Sequence, residues 1–293
     1  MTANLTGNLT RRALLHCLAS AGVTLALAGR LRADEPHITV PAYNTLSDDE
    51  EIALGRDFAK DYESKVQIVQ HSLIDAYLGG IVKDLAKASQ RPNLPYTIKL
   101  VNTHVVNACS IPGGFIYLNR GLVEVIDTEG QLVATIGHEL GHIVARHVVN
   151  QLILTFQAKR VYDQLRANLL KSDSEVARII DQLGGAVSLL ALLHFDRQNE
   201  LEADMLGFYE MLRAGYDPSA FLKLFDKFEA LESQQASAPP PFLMDHPPTP
   251  DRADRIRHEL TQVKVPANAR EDTLSFHAFR TAMGLLSKPP GEN

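Results

Sequence analysis

Two histidines four residues apart with a glutamate beside the first, His138-Glu139-Leu140-Gly141-His142, constrain this chain more than any other stretch. On an α-helix, residues i and i+4 stack one turn apart on one face, so both imidazoles can reach one metal ion. Glu139 projects about 100° further round, beside the ion rather than on it. There it can take a proton from a water that the metal activates, which is zinc-hydrolase chemistry in outline. Leu132-Val133-Ala134-Thr135-Ile136-Gly137 leads in, Ile143-Val144-Ala145 follows, and no proline interrupts from Thr128 to Asn150. The pattern predicts one helix across that span. Gly137 and Gly141 each cost a helix about 1 kcal/mol relative to alanine. Their place beside the two histidines predicts a second helix packed very close and carrying the missing ligand.

The stretch from Asn199 to Gly207 reads as that helix, starting after Asp196. Glu200, Ala203, Asp204 and Gly207 share a face at i, i+3, i+4 and i+7, whereas Glu202 points about 200° away from Glu200. Glu200 is therefore the expected third ligand. Asp204, one turn on, is placed to accept a hydrogen bond from a ligand imidazole and fix its tautomer. Glu202 fits a solvated acidic stripe. His147 follows His142 by five residues, falls well round the predicted helix, and is not expected to bind the metal. With His104 and His194 it reads as structural.

These pieces resemble the zinc metallopeptidase family that contains the CAAX prenyl protease, HtpX and periplasmic BepA. The resemblance rests on His138 to His142, on Glu200-Leu201-Glu202-Ala203-Asp204 with Gly207, and on Pro112-Gly113-Gly114-Phe115-Ile116-Tyr117-Leu118-Asn119-Arg120-Gly121-Leu122. His246-Pro247-Pro248 followed by Arg252 resembles a fourth family element. It implies an α+β fold, mostly helical, of the gluzincin type, with a small sheet packed beside the active-site helix. It further implies one Zn2+ per chain held by His138, His142 and Glu200, with Glu139 catalytic. Neither the membrane spans of the CAAX and HtpX branches nor, with the sequence running to Asn293, the tetratricopeptide array of BepA is expected here, and what remains resembles the stand-alone periplasmic members.

The amino terminus reads as an export signal. Arg11-Arg12 precedes an uncharged run from Ala13 to Gly29, followed by Arg30, Leu31, Arg32 and Ala33. A basic start, a short apolar run and small residues near its end suit a secretory signal over 1–33, and the arginine pair resembles a twin-arginine signal. Cleavage after Ala28 or Ala33 is expected; left uncleaved, the run would anchor the protein to the membrane. His16 before Cys17 is too bulky for a lipobox. Removing residues 1–33 removes four arginines and no acid, taking the net charge from −6 to −10. That balance argues against nucleic acid as a partner. Cys109 is then the one remaining cysteine, which excludes an internal disulfide or a thiolate cluster. Residues 34–293 are expected to form a single peptidase domain.

Helices are expected from Ser47 to Ser64, Ser72 to Ser89, Leu152 to Leu170, Ser174 to Phe195, Pro218 to Ser233 and Pro250 to Val263. Strands are expected at 96–101, 105–109 and 115–119. The uncharged Leu183–Phe195 stretch is too short to cross a bilayer; it reads as a buried helix or a flap touching a membrane. Gln234 to Pro248, rich in proline and alanine, reads as a mobile loop. At its end His246 and just beyond it Arg252 are candidates to stabilise the oxyanion of the reaction, and His246 could instead bind zinc at rest. Gly114, Phe115, Ile116 and Tyr117 are expected at the sheet edge beside the cleft, where an extended substrate would pair through its backbone. Together these features predict an endopeptidase acting on extended or misfolded proteins of the bacterial envelope, a quality-control role. A protease-like chaperone using the same groove, and a zinc hydrolase of non-peptide envelope material, are the rival readings.

Overall fold

Ser47 opens the first helix of the computed structural model, which describes residues 36–289 apart from 192, 194 and 235–238. The expected signal over 1–33, with Arg11, Arg12 and Cys17, lies outside the described residues, as does His194. In α1 (Asp48–Glu63) the Ser47 hydroxyl accepts from Glu50 N–H while the Glu50 carboxylate accepts from Ser47 N–H, so two otherwise unpaired donors are satisfied. Helix α2 (Ser72–Ala88) follows. Three short strands come next: β1 (Thr97–Val101), β2 (Ala108–Ile111) and β3 (Phe115–Asn119).

The sheet order is β1-β3-β2, with β3 parallel to β1 and antiparallel to β2. This corrects two expectations. Strand β2 begins three residues later than the pattern predicts, at Ala108. More consequentially, Gly114 to Tyr117 do not form an edge: β3 pairs on both sides, Ile116 facing Ile98 and Ser110. Chain order does not reveal this, because the β2–β3 hairpin is compatible with β1 on either flank. The strand left with a free edge beside the site is β2.

Helices α3 (Arg120–Val125) and α4 (Glu129–Val144) lead into the centre of the molecule. Thr128 and Gln131 cap α4 reciprocally, and every residue of α4 is buried. The helix is shorter than the 128–150 span predicted from sequence. It ends at Ala145, and Arg146 adopts a left-handed backbone (φ 62°) before α5 (His147–Ala158) begins. A left-handed non-glycine residue costs about 1–2 kcal/mol. Its side chain offsets that cost: the guanidinium lies 2.8 Å from the buried Glu51 carboxylate and donates to Leu46 O. Glu51 also takes Arg91, which in turn donates to Ile143 O at the end of α4.

Helices α6 (Tyr162–Asn168), α7 (Asp173–Gln182) and α8 (Gly185–Leu190) continue the chain. The two long helices expected here are each broken, at Arg160 (φ 59°) and at Gly184-Gly185 (φ 98° and 80°). With α1 and α5 these helices bury Phe58, Leu152, Phe156, Ile179 and Leu189 in one cluster. Then come α9 (Arg197–Ala214), α10 (Ala220–Gln234), α11 (Pro241–Asp245), α12 (Pro250–Gln262) and α13 (Leu274–Gly284). The described part of the segment expected to be a loop, 239–248, is not simply loop: it carries α11. No helix among the described residues is long and apolar enough to cross a membrane.

The fold is mostly helical with a small sheet against the central helix, and α9 packs on α4 more extensively than any other pair of elements. A Cβ on Gly141 would sit 2.5 Å from Ala203 O, and one on Gly207 2.7 Å from the Gly137 carbonyl carbon. Gly141→Ala should therefore lower stability by roughly 1–2 kcal/mol, overpacking outweighing a propensity gain of about 1 kcal/mol. Gly79→Ala and Gly80→Ala in α2, where the added Cβ meets nothing within 4 Å, should raise it by about 0.5–1 kcal/mol. Thermal melts check both, and a Gly141→Ala protein melting at or above the parent would contradict the close contact.

Candidate metal centre

The close approach of α4 and α9 brings Glu200 up to the histidine pair. His138 and His142 face each other through their Nε2 atoms, 3.1 Å apart. Glu200 Oε1 lies 3.3 Å from His142 Nε2, and Glu200 Oε2 lies 3.4 Å from His138 Nε2. A fourth side chain enters from the turn after α11: His246 Nδ1 is 3.1 Å from His138 Nε2 and 3.0 Å from Glu200 Oε1. All four side chains are buried, and their four donor atoms lie within 4.8 Å of one another.

A cation fits this arrangement. The other nitrogen of His138, Nδ1, is 2.8 Å from Asp204 Oδ1 and so carries the hydrogen, which leaves a lone pair on Nε2. Lone pairs of two imidazoles and a carboxylate pointing at one another would repel without a positive charge between them. Zinc bound at about 2.0–2.2 Å in a tetrahedron has neighbouring donors about 3.3–3.6 Å apart, slightly wider than the 3.0–3.4 Å spacings here.

Electrostatics agree. Burial alone would raise the Glu200 carboxyl, but the imidazole nitrogens of His246, His138 and His142 crowded against it hold it far below the usual carboxylate range, so it stands ionised. Burial likewise opposes ionisation of Asp204, and Arg252 beside it, with His138, holds its pKa down. Burial lowers His142 well below the ordinary histidine value, which suits a neutral ligand.

Glu139 is 1% exposed, and its Oε1 has no hydrogen-bond partner among the described residues. It lines a cleft of about 410 Å³ together with His246, Cys109 and Ser110. The apolar wall of that cleft is Val187, Leu190, Leu193 and Phe195, from α8 and the turn after it. Phe195 also packs on the His142 ring, with centroids 4.2 Å apart. The Cys109 thiol is pushed up to about 12, chiefly by desolvation and then by the charge of Glu139, so it stays protonated and is no nucleophile.

The free edge of β2 also borders the cleft. Asn119 N–H donates to Asn107 O, which fixes the hydrogen-bonded pairs of the hairpin at alternate positions. Ala108 and Ser110 consequently turn their backbone groups away from β3. Ala108 N–H is taken by the Asn107 side chain.

Arg252 is placed differently from its expected role at the oxyanion. It is buried behind the donor cluster, donating from Nε and Nη2 to Asp204 at 2.6 and 2.7 Å and from Nη1 to Pro247 O, with Nη1 2.9 Å from Glu200 Oε2. A fork already engaged on that side does not line the cleft. Sequence reasoning also missed His147 and Glu202. The left-handed turn at Arg146 returns His147 to the site, where its Nδ1 lies 3.0 Å from His142 Nδ1 and its Nε2 3.1 Å from Glu202 Oε2. No proline or glycine near residue 146 signals that break.

The family model for peptidase family M48 matches residues 72–260. The beta-barrel assembly-enhancing protease of Yersinia pestis is 26% identical over 250 residues, covering 84% of this chain and 51% of that protein. The mitochondrial metalloendopeptidase OMA1 of Schizosaccharomyces pombe is 26% identical over 238 residues, covering 80% and 67%. Metalloprotease LoiP of Escherichia coli K12 is 29% identical over 169 residues, covering 57% and 64%. The chain spans about half the length of the beta-barrel assembly-enhancing proteases that it matches.

Purified protein should carry one zinc per chain, lost in His138→Ala and His142→Ala and retained in Glu139→Gln, as metal analysis would read. Stripping the metal should lower Tm by roughly 5–10 °C when free zinc stands a hundredfold above its dissociation constant. Equal melting with and without chelator would contradict a centre built from these buried donors.

Proposed function

The chain belongs to peptidase family M48, the zinc metallopeptidases, and on that premise we propose that it is an endopeptidase cutting extended or misfolded proteins of the bacterial cell envelope. In this reading His138, His142 and Glu200 are the zinc ligands, Glu139 is the catalytic base, and residues 34–293 form one peptidase domain behind an export signal at 1–33. The observation that carries it is the convergence of four buried donor atoms beside a cleft lined by Glu139, whose Oε1 has no hydrogen-bond partner among the described residues and lies 3.6 Å from His246 Nε2.

Held by His138, His142 and Glu200, zinc would supply the Lewis acidity that such a hydrolysis needs. Glu139 accepts the proton of the attacking water and hands it to the departing peptide nitrogen. Asp204, braced by Arg252, keeps the hydrogen of His138 on Nδ1, so its Nε2 stays a ligand. An extended substrate would pair with the Ala108 carbonyl and with Ser110 on the free edge of β2, a role that the sequence pattern alone assigns to β3. Backbone pairing reads little sequence, and the apolar wall of α8 suits the side chains that unfolded proteins expose. The relatives named beta-barrel assembly-enhancing protease support an envelope setting.

His246 is assigned to the resting state. Its Nδ1 stands among the ligand atoms, so it would fill the position that substrate and water need, and α11 must shift for the cleft to open.

Glu139→Gln should abolish cleavage of casein or of unfolded outer-membrane protein while keeping zinc and fold. His246→Ala should raise basal cleavage several-fold; unchanged or lower activity would favour a part in transition-state binding instead. A wild-type protein that binds zinc but cuts neither substrate would leave the chaperone-like and non-peptide readings in possession.

A further inference from the structure

His147 lies outside the four-donor cluster, yet it is 4% exposed and both of its ring nitrogens are engaged. Its Nδ1 faces His142 Nδ1 at 3.0 Å, and two facing ring nitrogens can share only one hydrogen. The metal side sets the direction. His142 Nε2 is turned toward His138 Nε2 and Glu200 Oε1 and must offer a lone pair to bind, so the hydrogen of that ring sits on Nδ1. His147 Nδ1 then accepts, its own hydrogen sits on Nε2, and that N–H donates to Glu202 Oε2 at 3.1 Å.

We infer that Glu202 and His147 are positioning residues, a two-step hydrogen-bond relay that fixes the tautomer and ring plane of His142 and sets how tightly the chain holds zinc. The inference rests on the zinc reading above. It assigns each ligand histidine its own carboxylate. His138 receives Asp204 directly, with Arg252 behind it and all three buried. His142 receives Glu202 through a second imidazole, and the Glu202 side chain is 29% exposed. The His142 arm is thus the more loosely held of the two. The turn at Arg146 creates it, since on an unbroken helix His147 would lie about 140° round from His142.

Zinc affinity of the purified full chain, measured by competition with a chromogenic chelator, tests the relay alongside melting of the metal-free forms. His147→Phe keeps a ring but offers no acceptor and should bind zinc 10–100-fold more weakly. His147→Gln, whose carbonyl can accept from His142, should recover much of that loss. Glu202→Leu should lose zinc affinity as well, and Glu202→Gln, which keeps an acceptor for the His147 N–H, should lose less. The metal-free melting of the two Glu202 variants should match the parent, which separates positioning from a merely structural role. A folded His147→Phe protein binding zinc within twofold of the parent overturns the inference while leaving the peptidase reading intact. If that variant does not fold, an unchanged zinc affinity in Glu202→Leu overturns it. A parent protein that binds no zinc overturns both.

Discussion

The contact between α4 and α9 governs the centre. With glycine at 137, 141 and 207 and alanine at 203, the two backbones approach until a single added methyl group would collide. At that separation α9 presents three carboxylates at alternate positions, each to a histidine chemistry. Glu200 reaches the ligand pair, Glu202 reaches His147, and Asp204 reaches His138. One helix thereby supplies both a donor to the cluster and the carboxylates that face the imidazoles of His138 and His147. Side chains as short as aspartate can do this only because the helices nearly touch.

Buried charge on this scale requires compensation, since an isolated ion deep in a protein costs several kcal/mol. Two clusters provide it. Arg252 grips Asp204 with two parallel hydrogen bonds and leans on Glu200. At the far end of α4, Glu51 stands between Arg91 and Arg146. The second cluster never meets a ligand directly, yet it holds Arg146 in the left-handed turn that returns His147 to the site. Structure and chemistry are joined there through backbone geometry.

Much of this was legible in the sequence. The i, i+4 spacing of His138 and His142, the glycines beside them, and the face shared by Glu200, Ala203, Asp204 and Gly207 each follow from helix periodicity, and the paired helices have that form. The sequence alone places Arg252 at the oxyanion and β3 at the sheet edge, whereas in the structure orientation sets Arg252 against Asp204 and Glu200 and strand order encloses β3. Sequence proximity fixes neither: Arg252 faces away from the cleft, and β3 is enclosed by both neighbours. The break at Arg146 is invisible for another reason. A distant buried carboxylate stabilises it, and nothing in the local residues announces it.

Arg252 carries a temporal consequence. It lies 114 positions beyond His138, and contacts between such remote stretches close after local helices have formed. During synthesis the histidine pair therefore emerges well before the guanidinium that braces its partner exists. The buried group of His138, Asp204 and Arg252 closes only when α12 folds back onto α4 and α9.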